Sequence, residues 1–347
     1  MVEENTVVLS DDPSPPEIDI FRPADAVGVA ALYRAVYGDN YPVNDVYDPH
    51  KLISQGITGE AYRVVARTDA GEVVGHIALY RSSPPNRNLY EIGQMMVRQD
   101  YRVGSLASRL FEYSLAELPA RYNIEQLWGE AVCNHLVTQQ MSAEGGFLPA
   151  AIEVDLMPAE AYTRAFSRPP DTVGRVATLA IFRAFKAKPQ TIYLPAMYEE
   201  ELSFVYSLFA FGHNFEVSRQ ELPDGAATCG RTDVFAAAGV ARITLSAAGR
   251  DLAAYTEKAE RQARAEGAVV FQVYYPLTWP WAGEVAGTLR RQGYFLGGAL
   301  PRWFDDDGLL MQKVLTEPDF DGIFLYRKPA KKLLDYIRQD WLAGRGR

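Results

Sequence analysis

A strand, a tight turn and a helix follow one another in residues 91–110, and this succession constrains the fold more than any other feature. The apolar run Ile92–Val97 predicts a buried strand, and Leu106 and Leu110 begin a series of apolar residues at helical spacing. The first N–H groups of a helix have no partner inside it, and the helix dipole is positive at that end. We therefore expect an anion such as a pyrophosphate to bind at this turn.

Composition narrows the class of protein. The length of 347 residues predicts two domains, and a hydrophobic content of 48% is ample for burial. The net charge of −9 argues against a nucleic-acid partner. No apolar run approaches the roughly 18 residues of a membrane span, so no membrane partner is expected. Cys133 and Cys229 match no zinc or redox spacing, which favours a cytoplasmic protein without a metal.

The turn resembles a known cofactor motif. It reads Arg102-Val103-Gly104-Ser105-Leu106-Ala107 and is similar to the acyl-CoA motif of the GNAT (Gcn5-related N-acetyltransferase) superfamily, Arg/Gln-x-x-Gly-x-Gly/Ala. Arg102 and Ala107 match that pattern, whereas Ser105 stands where the family usually has its central glycine. Either the adjacent Gly104 takes the special backbone conformation, or the loop binds coenzyme A more weakly.

The resemblance implies acetyl-CoA or another acyl-CoA as co-substrate. In the family, backbone groups of the fourth strand pair with the pantetheine arm, and a nearby N–H polarises the thioester carbonyl. The cofactor-binding residues implied here are Met96, Val97, Arg102, Val103, Gly104, Ser105, Leu106, Ala107 and Asn134.

The elements around the motif follow a GNAT-like order. The predicted elements are a strand at Ile18–Phe21, a helix at Val27–Val36, a hairpin of Arg63–Thr68 and Val73–Tyr80, and a fifth strand at Gln126–Cys133. A helix and then Gly145-Gly146-Phe147 close the half, as in the family.

Two residues are candidates for proton transfer. Glu91 starts the fourth strand, where many GNAT enzymes carry a carboxylate base, although a solvated strand-edge glutamate would look the same. His135, just past the fifth strand, resembles a bacterial GNAT branch, but a lone histidine is more often structural. The tyrosine that usually protonates the departing thiolate is replaced by Ser142, so the general acid stays unassigned.

The aromatic, polar segment Tyr37–Leu52 shows no clean period. In the family the corresponding region lines the acceptor pocket, which favours binding of an amine through hydroxyl and carboxylate groups. The alternative is a surface loop whose tyrosines cover the sheet. The acceptor-pocket candidates are Tyr37, Asp39, Tyr41, Tyr47 and Gln139.

The second half repeats the first weakly. A strand at Ile192–Ala196 and a helix from Glu199 echo the chain start, and Arg242–Leu245, Leu252–Ala265 and Val269–Tyr275 predict strand, helix and strand. The sequence between strand and helix, Leu245–Asp251, lacks the phosphate motif. We therefore expect a second, degenerate GNAT-like module that binds no acyl-CoA and either walls the acceptor pocket or stiffens the first copy.

These observations predict an α/β fold with a mixed α+β sheet, built from two tandem GNAT-like modules. The predicted divisions are a flexible tail at 1–16, an acyltransferase domain at 17–160, a linker at 161–190, a degenerate domain at 191–316 and a helical extension at 317–347. The linker stretch 173–188 predicts either a strand and helix or a helix with a basic face.

The predicted function is acyl-CoA-dependent N-acylation of a small-molecule amine by direct attack in a ternary complex. The alternative is a non-catalytic acyl-CoA sensor or interaction module, which the missing tyrosine and the Ser105 departure permit. A Fem-like transferase that takes amino acids from tRNA is disfavoured by the acidic balance. The sequence leaves open a homodimer and does not name the amine or the acyl chain.

Overall fold

The structure is a computed structural model, and it describes residues 15–39, 41, 43–102, 104–160 and 174–345. These residues divide into two compact units. The first unit holds the described residues up to Ala78 together with Gln94–Ala116, and the second holds Leu79–Gly93 together with those from Glu117 onward. Helices and strands alternate in both, in agreement with the predicted α/β class.

The first unit is a sheet covered by helices, with the strand order β1-β2-β3-β4. Asp25, at the start of α1, forms a buried two-bond ion pair with Arg67 on β2, with N···O distances of 2.7 and 2.6 Å. This pair fixes the first helix against the sheet. The elements are β1 (Glu17–Ile20), α1 (Ala26–Tyr37), α2 (Pro49–Thr58), β2 (Ala61–Arg67), β3 (Val73–Tyr80), β4 (Leu89–Val97) and α3 (Leu106–Tyr122), of which β3, β4 and α3 continue into the second unit.

Helix α2 is specified by its ends more than by its apolar pattern. The Asp48 carboxylate accepts a hydrogen bond from the His50 N–H at 2.8 Å, Pro49 occupies the first turn, and Gly59 ends the helix at φ 72°. The segment after Tyr37 is therefore partly helical rather than a loop throughout.

The second unit contains a long mixed sheet with the strand order β4-β5-β7-β6-β13-β14-β12-β11-β10, and a separate parallel pair, β8-β9. Helices cover the sheet, and the C-terminal helix lies where the sequence predicts one. The elements are β5 (Gln126–Val132), α4 (Val137–Glu144), β6 (Leu148–Pro158), β7 (Arg175–Ala184), β8 (Thr191–Pro195), α5 (Glu199–Ser207), β9 (Asn214–Ser218), β10 (Cys229–Phe235), β11 (Val240–Ala247), α6 (Leu252–Ala265), β12 (Val270–Pro276), α7 (Ala282–Arg291), β13 (Phe295–Leu300), β14 (Gly308–Val314) and α8 (Lys328–Arg345).

The strand order of this sheet repeats. Strand β4 pairs with β5 in parallel, and β7 lies antiparallel between β5 and β6. In the same way β11 pairs with β12 in parallel, and β14 lies antiparallel between β12 and β13. The repeats meet where β6 and β13 pair at Ala151 and Gly298. Gly298 has φ +128°, and a Cβ there would overlap the Ala150 carbonyl oxygen, so this junction requires glycine.

The range 161–190, predicted as a linker, contains strand β7. Its apolar run is buried on both faces as an inner strand. The described residues 174–188 therefore contain a strand, and neither the helix expected beside it nor the alternative basic helix is present there. The predicted tail at 1–16 lies almost wholly outside the described residues. The predicted domain boundaries otherwise remain a prediction.

Candidate functional site

The turn after β4 is held by its own chain. The Arg98 N–H donates to the Val74 carbonyl at 2.8 Å, and the Arg102 Nε–H donates to the Val97 carbonyl at 2.9 Å. Met96 and Val97 are buried at the end of the strand. The side chain of Arg102 thus closes the turn by bonding to its backbone.

The helix that follows begins with an open backbone. Gly104 has φ +113°, and a Cβ there would meet nothing within 4 Å. Gly104 therefore takes a positive-φ backbone conformation that favours glycine. This is the first of the two alternatives that the sequence left open for the motif. Gly104 and Ser105 are exposed, Leu106 is buried, Ala107 lies in the first turn of α3, and Val103 lies outside the described residues.

Strand β4 leaves β5 early. In the described chain their parallel ladder joins Leu89–Glu91 to Gln126–Trp128 and stops, although β4 continues to Val97. Three residues beyond Glu91, Gln94 has φ 53°, an unusual value for a residue with a side chain. A strained residue in a strand is a local feature that the surrounding structure must hold in place.

Two side chains of the first unit hold Gln94. His76 Nδ1 lies 2.9 Å from the Gln94 carbonyl, to which it donates, and the Tyr33 hydroxyl donates to Gln94 Oε1 at 3.0 Å. Burial, reinforced by Arg63, lowers the pKa of His76 to about 3, so its ring is neutral. Sequence reasoning missed His76 because a single histidine inside an apolar strand carries no chemical pattern.

Three of the predicted acceptor residues come together. Tyr37, Tyr41 and Tyr47 pack around Tyr33, and the Tyr33–Tyr41 and Tyr37–Tyr41 ring centroids are 5.0 and 5.1 Å apart. All three are partly buried against the core of the first unit. Asp39 is exposed and lies 3.6 Å from the Arg34 guanidinium. The tyrosines thus form one aromatic cluster, and Asp39 is turned to the surface.

Glu91 belongs to a group of partly or fully buried carboxyls in the second unit. Its Oε1 accepts a hydrogen bond from the Tyr80 hydroxyl at 2.6 Å, and Ser82 donates a second bond. The side chain is only partly buried, and desolvation raises its pKa. A carboxyl with a raised pKa holds a proton more readily than a solvated glutamate does.

Arg242 on β11 is the hub of this group. Its Nη2 donates to Glu130 at 3.0 Å and to Glu153 at 3.1 Å, its Nε donates to Gln272 at 2.9 Å, and its Nη1 donates to Ser83. Burial alone would lower the pKa of Arg242, but the neighbouring carboxyls outweigh it and raise that pKa. The guanidinium therefore stays charged.

Burial and the proximity of Glu153 raise the pKa of Glu130 to about 8. Glu130 thus holds a proton at neutral pH, and a bound cation would displace that proton. Sequence reasoning missed Glu130, Glu153 and Arg242. Each of them is a single charged residue in an apolar strand. Because buried charges must be paired, three such residues in the strands of one sheet indicate that they pair with one another.

The residues after β5 have different surroundings. Neither polar atom of the buried Asn134 amide has a hydrogen-bond partner in the described part of the chain. His135 is partly buried, and burial lowers its pKa. Gln139 is buried; its Nε2 lies 2.8 Å from the Phe324 carbonyl, and its Oε1 accepts the Tyr326 N–H at 3.1 Å. The Asn134 amide is thus unsatisfied within the described residues, whereas Gln139 anchors the segment around Phe324.

The corresponding turn of the second repeat is filled by its own chain. The Gly249 N–H donates to Thr228 Oγ1 at 3.0 Å, and Thr228 Oγ1 donates to the Asp251 carboxylate at 2.7 Å. A Cβ on Gly249 would overlap the Ala226 carbonyl oxygen. The turn before α6 is therefore closed by contacts within the chain.

No helix in the described ranges is long and apolar enough to cross a membrane. The same ranges contain no group of three or more His, Cys, Asp or Glu residues placed to hold a metal ion.

Comparison with known proteins supports the chemistry of the first half. Residues 28–139 match the family model described as the acetyltransferase (GNAT) family. No curated protein matches the chain.

Solved structures give weaker likenesses. The ribosomal-protein-S18-alanine N-acetyltransferase of Escherichia coli is 14% identical, with a TM-score of 0.37 over 50% of this chain and 95% of that one. The spermidine/spermine N-acetyltransferase of Vibrio cholerae is 13% identical, with a TM-score of 0.36 over 49% and 93%.

The match to the GNAT family model thus covers residues 28–139, and this range contains a glycine turn before a helix and a parallel strand pair whose ladder ends early.

Proposed function

We propose that the protein is an acyl-CoA-dependent N-acyltransferase that transfers an acyl group, acetyl in the first instance, to a small-molecule amine. The observation that carries the proposal is the end of the β4–β5 ladder at Glu91, a partly exposed carboxyl whose pKa burial raises. The same strand leads into the Gly104 turn. The candidate base Glu91 thus lies on the strand that leads into the acyl-CoA motif.

In this proposal the backbone N–H groups from Gly104 to Ala107 hold the pyrophosphate of the co-substrate. Met96 and Val97 offer backbone groups to the pantetheine arm, and the Asn134 amide supplies further polar contacts. Arg102, which bonds to the Val97 carbonyl, keeps the turn in shape. Positioning of the two substrates supplies much of the rate enhancement.

The reaction proceeds by direct attack. The bound ammonium loses one proton to Glu91, and the neutral nitrogen attacks the thioester carbonyl. A C–N bond forms and the C–S bond breaks as the tetrahedral intermediate collapses. The nitrogen loses its second proton, the thiolate takes up one proton to become coenzyme A thiol, and the other leaves to solvent from Glu91. His135 is a second candidate for these transfers, because imidazole exchanges protons near neutral pH.

We further propose that the second repeat is a degenerate GNAT-like module without an acyl-CoA site of its own. The shared strand order and the filled turn at Gly249 support this proposal. The expected stoichiometry is one acyl-CoA per chain.

Thiol release measured over a panel of amines tests the proposed function. We expect release that depends on both acetyl-CoA and an amine. The substitution Glu91→Gln should lower kcat/KM about 100-fold or more, because general base catalysis contributes about 10²–10⁴-fold. Glu117→Gln, an exposed glutamate of the same unit, is the matched control and should leave kcat/KM unchanged. His135→Ala measures how much His135 contributes to kcat/KM.

A non-catalytic acyl-CoA sensor is the second candidate. The specific observation in its favour is Ser142, a buried side chain at the position where the family carries its tyrosine acid. Calorimetry separates the two functions: tight acetyl-CoA binding without thiol release over any amine establishes the sensor. Absence of acetyl-CoA binding by the folded protein would contradict both.

A further inference from the structure

A cleft of about 570 Å³ opens in the second unit beside the Arg242 group. One wall is the β3–β4 connection at Ser82 and Ser83, and another is the face of β10 and β11 that carries Thr244. The volume is within the range of roughly 300–1,000 Å³ that small-molecule sites occupy. None of the sequence predictions placed a site here.

The register of the strands shows which side chains face the cleft. Arg231 lies opposite Thr244, and Asp233 lies opposite Arg242, so these four share one side of the β10–β11 pair. In the parallel ladder, Thr244 lies beside Tyr274. The cleft face is therefore built from both neighbours of β11.

The lining of the cleft contains an aromatic pair. Tyr274 and Trp303 stack with ring centroids 5.2 Å apart and an interplanar angle of 6°. Both side chains are almost fully buried, with exposures of 1% and 2%.

The carboxyls lie directly behind the lining. Ser82, in the lining, donates to Glu91, and Arg242, also in the lining, donates to Glu130. Both glutamates keep some exposure, whereas Glu153 is 3% exposed. Three carboxyls surround a single guanidinium, so the group has room for one more positive charge.

We propose that this cleft is the acceptor site, and that it takes a small hydroxylated primary amine whose ammonium group pairs with Glu91 and Glu130. The inference rests on the proposed function, because it names the substrate class of that reaction. Ser82, Ser83 and Thr244 place hydroxyls in the lining, and the Tyr274–Trp303 pair adds apolar contact. An amine with neighbouring hydroxyl groups can bond to the lining hydroxyls, whereas an alkylamine cannot.

The cleft also assigns a role to the second repeat. Strands β10, β11 and β12 belong to the repeat whose phosphate turn is closed, and they supply most of the lining. Arg242 is a positioning residue in this arrangement, because it touches the carboxyls rather than the reacting atoms.

Blocking the cleft tests the proposal. Thr244→Trp fills it, and Ser246→Trp, two residues along the same strand, exposed and outside the lining, is the matched control. With glucosamine or ethanolamine as acceptor, Thr244→Trp should raise the amine KM at least about 10-fold. The acetyl-CoA affinity should be unchanged, and Ser246→Trp should match the parent in both. An amine KM unaffected by Thr244→Trp would overturn the acceptor assignment.

A protection experiment does not depend on the fold of that variant. Ser82→Cys in a Cys229→Ser background places a thiol in the exposed wall of the cleft, while the remaining cysteine, Cys133, is buried. Saturating glucosamine should slow alkylation of the introduced thiol at least about 5-fold, and propylamine at the same concentration should slow it less. Equal protection by both amines would reject the hydroxylated class, and no protection by either would reject the site.

Failure of this inference differs from failure of the proposed function. The protection experiment needs no acyl-CoA, so a protected cleft in a protein without thiol release contradicts only the proposed catalysis. Thiol release that survives a filled cleft contradicts only the acceptor site. In that case Tyr37→Phe, which alters the tyrosine cluster of the first unit, tests the earlier prediction for the acceptor pocket.

Discussion

Two parallel strand pairs, β4 with β5 and β11 with β12, begin alike and end differently. The first ladder stops at its third pair, Glu91 opposite Trp128. The second passes its third pair, Arg242 opposite Gln272, and continues to Thr244 opposite Tyr274. The turns that follow differ in the same sense: the Gly104 backbone is open, whereas the Gly249 backbone is bonded to the chain.

The two repeats share a strand order but differ in the turn that follows the first strand of each parallel pair. The Gly104 position is open to a side chain, whereas the Gly249 N–H is bonded within the chain. The same ladder position carries a carboxylate in one repeat and a guanidinium in the other, Glu91 and Arg242. Both side chains belong to the one buried group that also contains Glu130, so the repeats contribute opposite charges to it.

The largest expected effect comes from forcing the closed turn open. Gly249→Val places side-chain atoms against the Ala226 carbonyl oxygen, and we expect a loss of about 3 kcal/mol in the free energy of unfolding. Chemical denaturation measures the loss, with Ser246→Val on the preceding exposed strand position as control. Acetyl-CoA affinity of the folded fraction should not change. Unaltered stability would show that the second turn is not packed as described.

Closing the open turn should act on binding. Gly104→Val demands φ +113° from a residue with a side chain, which costs about 1–3 kcal/mol or shifts the loop. We expect acetyl-CoA to bind about 10-fold more weakly by calorimetry. Gly267→Val is the matched control, because Gly267 has φ +93° in equally open space after α6. Equal acetyl-CoA affinity in both variants would remove the turn from the binding site.

The shared charge group predicts a pH dependence of stability. The pKa of Glu130 is raised from an ordinary 4.5 to about 8, so the folded state holds this proton more tightly than the unfolded state. That stabilisation is complete below about pH 4.5 and is lost as the pH rises through about 8, by about 2 kcal/mol between pH 6.5 and 8.5. Thermal unfolding over this window should show a decline that Glu130→Gln reduces.

This window avoids the opposing contribution of His76. With a folded pKa of about 3, His76 destabilises the fold only as the pH falls below its ordinary value of 6.5. Glu117→Gln should decline as the parent does. A parent protein with constant stability from pH 6.5 to 8.5 would show that Glu130 is not buried as a neutral acid.

The smallest effect concerns the departure from the family motif. Ser105→Gly restores the usual central glycine, but Gly104 already takes the left-handed conformation. We expect less than about a twofold change in acetyl-CoA affinity, below about 0.4 kcal/mol. A tenfold gain would mean that Ser105 limits binding and that the adjacent glycine does not replace the usual one.

Much of the fold follows from local sequence patterns. The hairpin of β2 and β3, the strand–turn–helix at β4 and α3, and helix α6 lie where apolar periodicity predicts them. The pattern failed where the chain is specified by its ends or by distant neighbours. Helix α2 buries little apolar surface and is marked by its capping residues at both ends. The sequence of β7 resembles a linker, and only its position between β5 and β6 identifies it as a strand.

The sequence predicts candidate residues that lie close together along the chain, and misses residues that only the fold brings together. The Gly104 turn and Glu91 lie within one short segment, and their roles remain predictions. Glu130, Glu153 and Arg242 are separated by up to 112 residues, and only the folding of the sheet brings them within hydrogen-bond distance. Asn134 remains a prediction, and Gln139 is engaged with the backbone around Phe324.

Strand β7 also determines when the first repeat can fold during synthesis. When the emerged part of a nascent chain ends at Pro158, β5 and β6 are outside the ribosome but the strand that lies between them is not. Each of the two strands then exposes an unpaired backbone edge to solvent until Ala184 has emerged. Chaperones that shield strand edges can act on this protein in that interval.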